Sequence, residues 1–150
     1  MSNTYIGLDP GKKGAMAIIE CSDKIESVKI IPFEPSDYIS ALKRYSGATV
    51  CIEQVHSLPR EGVKSVWSFG QTYGWLLGVM DALGVSYQVV PPNKWKREYS
   101  LLRTEKKQSI EVCKRLFPSV SLKRTERCKT DSSDFADALL LCEYGRRHFG

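Results

Sequence analysis

The stretch YIGLDPGKKGAMAII, Tyr5 to Ile19, is an apolar run, a tight turn and a second apolar run. Residues 4–9 and 14–20 read as the two strands of a hairpin across D-P-G-K-K-G. The first run stops at a carboxylate, Asp9. A turn needs only Gly and Pro. The acid therefore holds a cation, holds a metal bound to phosphate, or only closes the turn.

Outward from this hairpin, residues 25–31 alternate as a third strand, and Pro32 and Pro35 break the chain. Ser36 or Asp37 is predicted to cap a helix to about Tyr45, with Tyr38, Leu42 and Tyr45 on one face. Residues 48–53 form a short β-branched run, a buried strand that also ends in an acid, Glu53. A long amphipathic pattern covers Val63 to Leu83 and stops at Gly84. It carries Gly70, Gly74 and Gly78 on one face, which costs helix stability. Close approach of another backbone would offset that cost, either the sheet or a second copy of the helix. Residues 85–90 make a fifth strand. Pro91 and Pro92 open a short basic helix, N-K-W-K-R-E-Y. A further helix fits Thr104 to Phe117, residues 118–130 form a basic loop, and a last helix runs from near Ser132 to about Arg147. Three meandering strands followed by β-α-β units give an α/β chain: a five-stranded mixed sheet flanked by helices, one domain over 1–150.

The composition fits a soluble globular protein, with 42% hydrophobic and 26% charged residues among 150. No run approaches a membrane span, and the start goes straight into strand material with no signal peptide. Cys21, Cys51, Cys113, Cys128 and Cys142 are odd in number and form no C-x-x-C pair. They read as reduced thiols of a cytoplasmic protein. The net charge is +5, but residues 91–130 hold twelve Lys or Arg against four Glu, which leaves −3 for the rest. This asymmetry suggests either a polyanion partner or a solvated basic face.

In D-S-S-D-F-A-D-A-L-L-L, Asp134 and Asp137 are three residues apart, about 60° around a largely apolar helix. Two buried like charges repel unless a cation or a proton intervenes. Acids in a first turn also suit the helix dipole, and Asp131 is placed to be the N-cap. If the first and fourth strands are neighbours, Asp9 and Glu53 emerge at one sheet edge, where the last helix can bring Asp134 and Asp137. Four carboxylates without interleaved His or Cys suit a hard cation, Mg²⁺ or Mn²⁺. Such clusters commonly hold two metals that clamp a phosphoryl group.

These residues carry a resemblance. I-G-L-D-P-G-x-x-G at 6–14, I-E-Q-V at 52–55, F-G-Q-x-x-G at 69–74, P-x-K-W-K at 92–96, E-K at 105–106 and D-F-A-D-A-L at 134–139 resemble, in order and spacing, the RuvC-type Holliday-junction resolvases of the ribonuclease H-like superfamily. The resemblance implies a homodimer that cuts four-way DNA junctions with Mg²⁺, two ions per site and Mn²⁺ as a substitute, leaving 5′-phosphate and 3′-hydroxyl ends. It places the catalytic and metal-binding tetrad on Asp9, Glu53, Asp134 and Asp137, and leaves Asp131 outside the pattern. It places phosphate-contacting cations on Lys96 and Lys106, with Lys107 as substitute if the alignment slips by one. Lys94 and Arg103 join them in the basic segment. Where bacterial members carry a Phe wedge, this chain has His56, a smaller and more polar stacking group. The short chain points to a phage or prophage version acting in a bacterial cytoplasm, and no motif names a helper protein.

Trp95 is read as a core anchor ahead of a stacking platform, and Trp67 and Phe69 as core or dimer interface. The basic loop 119–131 is expected to be mobile without DNA. The rival readings are a related nuclease for other branched DNA or RNA, a non-catalytic junction-binding module, and a phosphotransferase of the sugar-kinase type. The last needs a second phosphate loop that this chain lacks.

Overall fold

The computed structural model describes residues 2–55 and 61–150. The hairpin is present as β1 (Asn3–Asp9) and β2 (Ala15–Cys21), followed by β3 (Ile25–Pro32) and α1 (Pro35–Arg44). Then come β4 (Thr49–Glu53), α2 (Val63–Ala82), β5 (Tyr87–Val90), α3 (Pro92–Glu98), α4 (Lys107–Leu116) and α5 (Ser133–Phe149). The sheet order is β3-β2-β1-β4-β5. The first three strands pair antiparallel, and β4 adds parallel to β1 and β5 parallel to β4. This is the five-stranded mixed sheet expected from the sequence.

Period-two alternation sorts the strands between two cores. Ile6, Leu8, Met16, Ile18, Val50 and Ile52 face α1 and α2, whose Tyr38, Leu42, Leu76 and Met80 close that layer. Tyr5, Ala15, Ala17, Ile19 and Cys51 face α5, with Trp95 and Val112 from α3 and α4. Parallel register pairs Leu8 with Ile52, so the next residues, Asp9 and Glu53, stand side by side at the strand ends. Both fall on the α5 face by alternation.

One glycine lets α5 complete that arrangement. A Cβ on Gly7 would lie 2.5 Å from the Ala138 carbonyl oxygen and 2.5 Å from the Cys142 nitrogen. No side chain fits there, so α5 lies directly on the β1 backbone and its first turn reaches the strand end.

Several local expectations are corrected. The first helix is capped by Glu34, whose carboxylate accepts from the Ser36 N–H at 2.9 Å, not by Ser36 or Asp37. Pro35 takes the first helical position, where its missing N–H costs nothing. α4 starts at Lys107 instead of Thr104, because Arg103 is left-handed (φ 61°) and the Thr104 hydroxyl donates to the Leu101 carbonyl in the turn. The cap of α5 is Ser132, whose Oγ accepts from the Phe135 N–H at 3.2 Å. Asp131 instead pairs with Lys114 at 2.6 Å. Within loop 119–131, Leu122 is buried and its carbonyl accepts from the Ser132 N–H at 2.7 Å.

The glycines of α2 do not face the sheet. Thr72, Leu76 and Met80 are its buried face, and among the described residues nothing lies within 4 Å of a Cβ built on Gly70, Gly74 or Gly78. Of the two expected neighbours for this face, the sheet is excluded. Trp67 and Phe69 are likewise not core: Trp67 is 69% exposed, and the half-open Phe69 ring covers the β1–β2 turn at Gly11. All five cysteines are free. No described helix is long and apolar enough to cross a membrane.

Candidate active site

The four acids singled out in the sequence come from three separate elements and meet at the C-terminal ends of β1 and β4. Asp9 is the centre of the group. Burial raises its pKa well above the usual carboxylate range, and the charges of Asp137, Glu53 and Asp134 raise it further. A hydrogen bond with Asp134 also favours its protonated form. Burial raises Glu53 too, opposed by the Trp95 indole and by Lys96. Asp137 is pushed up to about 6 by burial, with Glu53 and Asp134 adding to the shift and Ser109 and Lys96 opposing it. Each of these shifts has the sign expected of crowded, desolvated anions, with Lys96 offsetting only part of it at Glu53 and Asp137.

Three of the acids have their own support. The indole N–H of Trp95, itself fully buried, donates to Glu53 Oε2 at 2.8 Å. Trp95 is therefore a core anchor, as expected, and it also fixes a site acid. The Ser109 hydroxyl donates to the Lys106 carbonyl at 2.9 Å and stands within reach of Asp137. Arg124 Nη2 lies 3.5 Å from Asp134 Oδ2. The Tyr38 hydroxyl is buried with no hydrogen-bond partner among the described residues, and the charges of both Asp9 and Arg124 reach it. Sequence reading missed the indole bond, Ser109, Arg124 and Tyr38. Only Trp95 carried a signal, since a buried indole N–H requires an acceptor.

The basic residues divide. Lys96 stands at the site: its Nζ lies 5.6 Å from the Trp95 ring centroid, and its charge acts on both Glu53 and Asp137. Lys106 sits at the start of α4, its backbone tied to Ser109, with an exposed side chain. Lys107 pairs with Glu105 at 3.2 Å on the surface. Lys94 and Arg103 are exposed and touch none of the four acids. His56 lies outside the described residues.

The donor set suits a hard divalent cation: oxygen ligands only, buried, and repelling one another. Among the described residues, no three His, Cys, Asp or Glu side chains already stand in the spacing of a closed metal cage. Asp134 is engaged with Asp9 and Arg124 instead.

No protein-family model and no curated protein is matched by the sequence. The structure is matched by solved ones. RuvC of Thermus thermophilus in complex with a Holliday-junction substrate superposes with a TM-score of 0.62 at 13% identity, over 96% of this chain and 95% of that one. A second Thermus thermophilus RuvC structure gives 0.62 at 16% identity over the same shares. The chain has the ribonuclease H-like fold of RuvC, the fold its motifs resemble.

Proposed function

We propose that this chain is a divalent-metal-dependent endonuclease that resolves four-way DNA junctions. One observation carries the reading. Asp9, Glu53, Asp134 and Asp137 come from β1, β4 and α5 and form one half-buried, mutually repelling group beside Lys96. A structural role would gain nothing from such a group, because crowding like charges away from water is costly. The RuvC neighbour bound to a Holliday junction supplies the substrate class.

Asp9, Glu53 and Asp137 would hold Mg²⁺, or Mn²⁺ in its place, with Asp134 completing the set. Two such ions, when bound, supply Lewis acidity for attack of water on the phosphodiester and for departure of the 3′-oxygen. The chain's own residues do the rest. Trp95 keeps Glu53 in one rotamer through its indole N–H. Lys96 neutralises a phosphate beside Glu53 and Asp137. The exposed Lys94, Arg103, Lys106 and Lys107 position duplex arms without reading sequence. The four acids weigh against a non-catalytic module, which has no use for them.

The direct test is a set of labelled four-way, three-way, flap and linear DNAs, incubated with and without Mg²⁺. Cleavage confined to the four-way junction with Mg²⁺ is expected. Preferential cutting of flaps, three-way DNA or RNA points to the related-nuclease reading, and binding without cutting points to the binding module.

A homodimer belongs to the same proposal, since two strands must be cut in a paired way. The glycine face of α2 is open, flanked by exposed Trp67 and Val63, and lets two helix backbones approach. Gly74→Leu separates the possibilities. In a monomer it fills empty space and improves helix propensity by roughly 1 kcal/mol. Across a twofold axis it collides with its own copy. The expected result is a higher thermal midpoint at concentrations where the protein is monomeric, together with at least a tenfold loss of dimer affinity by sedimentation equilibrium. Unchanged association would exclude this face as the interface.

A further inference from the structure

Two cations stand at the acid group, each beside different acids. Lys96, from α3, acts on Glu53 and Asp137. Arg124, from the basic loop, which no recognised motif includes, stands at Asp134. Its guanidinium lies 3.5 Å from Asp134 Oδ2 and 5.4 Å from the Phe135 ring centroid. The loop holds it there from both directions. Leu122 is buried two residues before it, and just beyond it the Cys128 N–H donates to the Thr125 carbonyl at 3.1 Å. Arg124 is more than two-thirds covered, whereas its neighbour Lys123 is exposed. A flexible basic loop would not single out one guanidinium in this way.

We infer that Arg124 is a positioning residue for the phosphate on the Asp134 side of the cleft, held on Asp134 until a divalent cation claims that carboxylate. This rests on the proposed nuclease reading. Three observations agree with it. The acids do not stand in a closed metal cage. Of the four acids, Asp134 is the one in a direct ion pair with a described cation of the protein. A contact of 3.5 Å between partly exposed partners is also weak enough to exchange. Once released, the planar fork matches two phosphate oxygens, which the ammonium of Lys96 cannot do. Lys96, beside Glu53 and Asp137, and Arg124, beside Asp134, would then both grip the DNA backbone and fix the scissile bond at the acids.

The test begins on the DNA-free protein, with the thermal midpoint followed as Ca²⁺ or Mg²⁺ is added. Removing a competing unit charge in Arg124→Ala is expected to lower the metal concentration at half-effect roughly three- to tenfold. Arg124→Lys restores the original value, and Lys123→Ala leaves it unchanged. Four-way junction binding is then measured in Ca²⁺, an oxygen-binding cation of weaker Lewis acidity, across a range of salt. Arg124→Ala is expected to reduce the slope of log affinity against log salt by about 0.9, one phosphate contact. An unchanged metal threshold overturns the competition with metal. A lowered threshold with an unchanged slope overturns the phosphate contact. A protein that binds no junction overturns the junction reading and the handover with it, while the metal titration still reads the Asp134 pairing by itself.

Discussion

Asp9→Asn is expected to abolish junction cleavage and, in the same variant, to make the metal-free protein more stable. The two effects have one cause. Asp9 is buried and faces Asp137, Glu53 and Asp134, each of which disfavours its charge. An amide of the same shape removes that repulsion and carries an N–H that can donate to Asp134, which neighbours Asp9. Relief on the order of 1 kcal/mol corresponds to a rise of about 2–4 °C for a chain of this size. The same change deletes the central oxygen ligand. Losing about 4 kcal/mol of transition-state stabilisation lowers the rate about a thousandfold. Junction binding should persist, because phosphate contacts come from Lys96 and the other cations. Cleavage within tenfold of the unmutated protein would remove Asp9 from the metal site. A fall in the midpoint would show that its carboxylate stabilises the fold and that the convergence of acids has another meaning.

The sequence made the acids legible because strand periodicity and parallel pairing leave little freedom. Two apolar runs that end in Asp9 and Glu53 put both acids at one edge as soon as the strands are neighbours. A three-residue spacing puts Asp134 and Asp137 on one side of a helix. What periodicity cannot carry is contact between remote residues. The bond from Trp95 to Glu53 joins positions 42 residues apart. Arg124 is one cation among several in its loop until the burial of Leu122 fixes where it points. The α2 glycines show the same limit. Their spacing announced a close approach, but only the packing tells that Thr72, Leu76 and Met80 take the sheet side. The close approach to the sheet occurs at Gly7 instead, a single glycine inside a strand whose periodicity says nothing of a helix backbone lying on it. Caps failed for a local reason. Glu34 outcompetes Ser36 and Asp37 because Pro35 fixes the first helical turn one residue earlier.

A pH titration of stability, with and without Mg²⁺, should give the largest response outside catalysis. The sign follows from the direction of the shifts. The carboxyls of Asp9, Glu53 and Asp137 have pKa values raised in the folded state, Asp137 to about 6. Between the unfolded value near 4 and the folded value, the native protein binds more protons than the unfolded chain. Stability is therefore full below about pH 4 for these groups and falls as pH rises through 6. For Asp137 alone the loss is on the order of 3 kcal/mol. Lowered groups such as Glu20 and Glu34 act in the opposite sense, but they are exposed and contribute little. Mg²⁺ should cancel the loss, since it binds the ionised carboxylates and not the protonated ones. At a hundredfold excess over its dissociation constant it adds about 2.7 kcal/mol, a rise of roughly 5–10 °C at pH 8. At pH 5 the rise should nearly vanish. Asp137→Asn isolates the cluster: its metal-free midpoint should vary less between pH 5 and 8, and its Mg²⁺ response at pH 8 should shrink. An Mg²⁺ response equal at both pH values, or unchanged in Asp137→Asn, would mean that the ion binds elsewhere on the chain and that these carboxylates are buried for a reason other than metal.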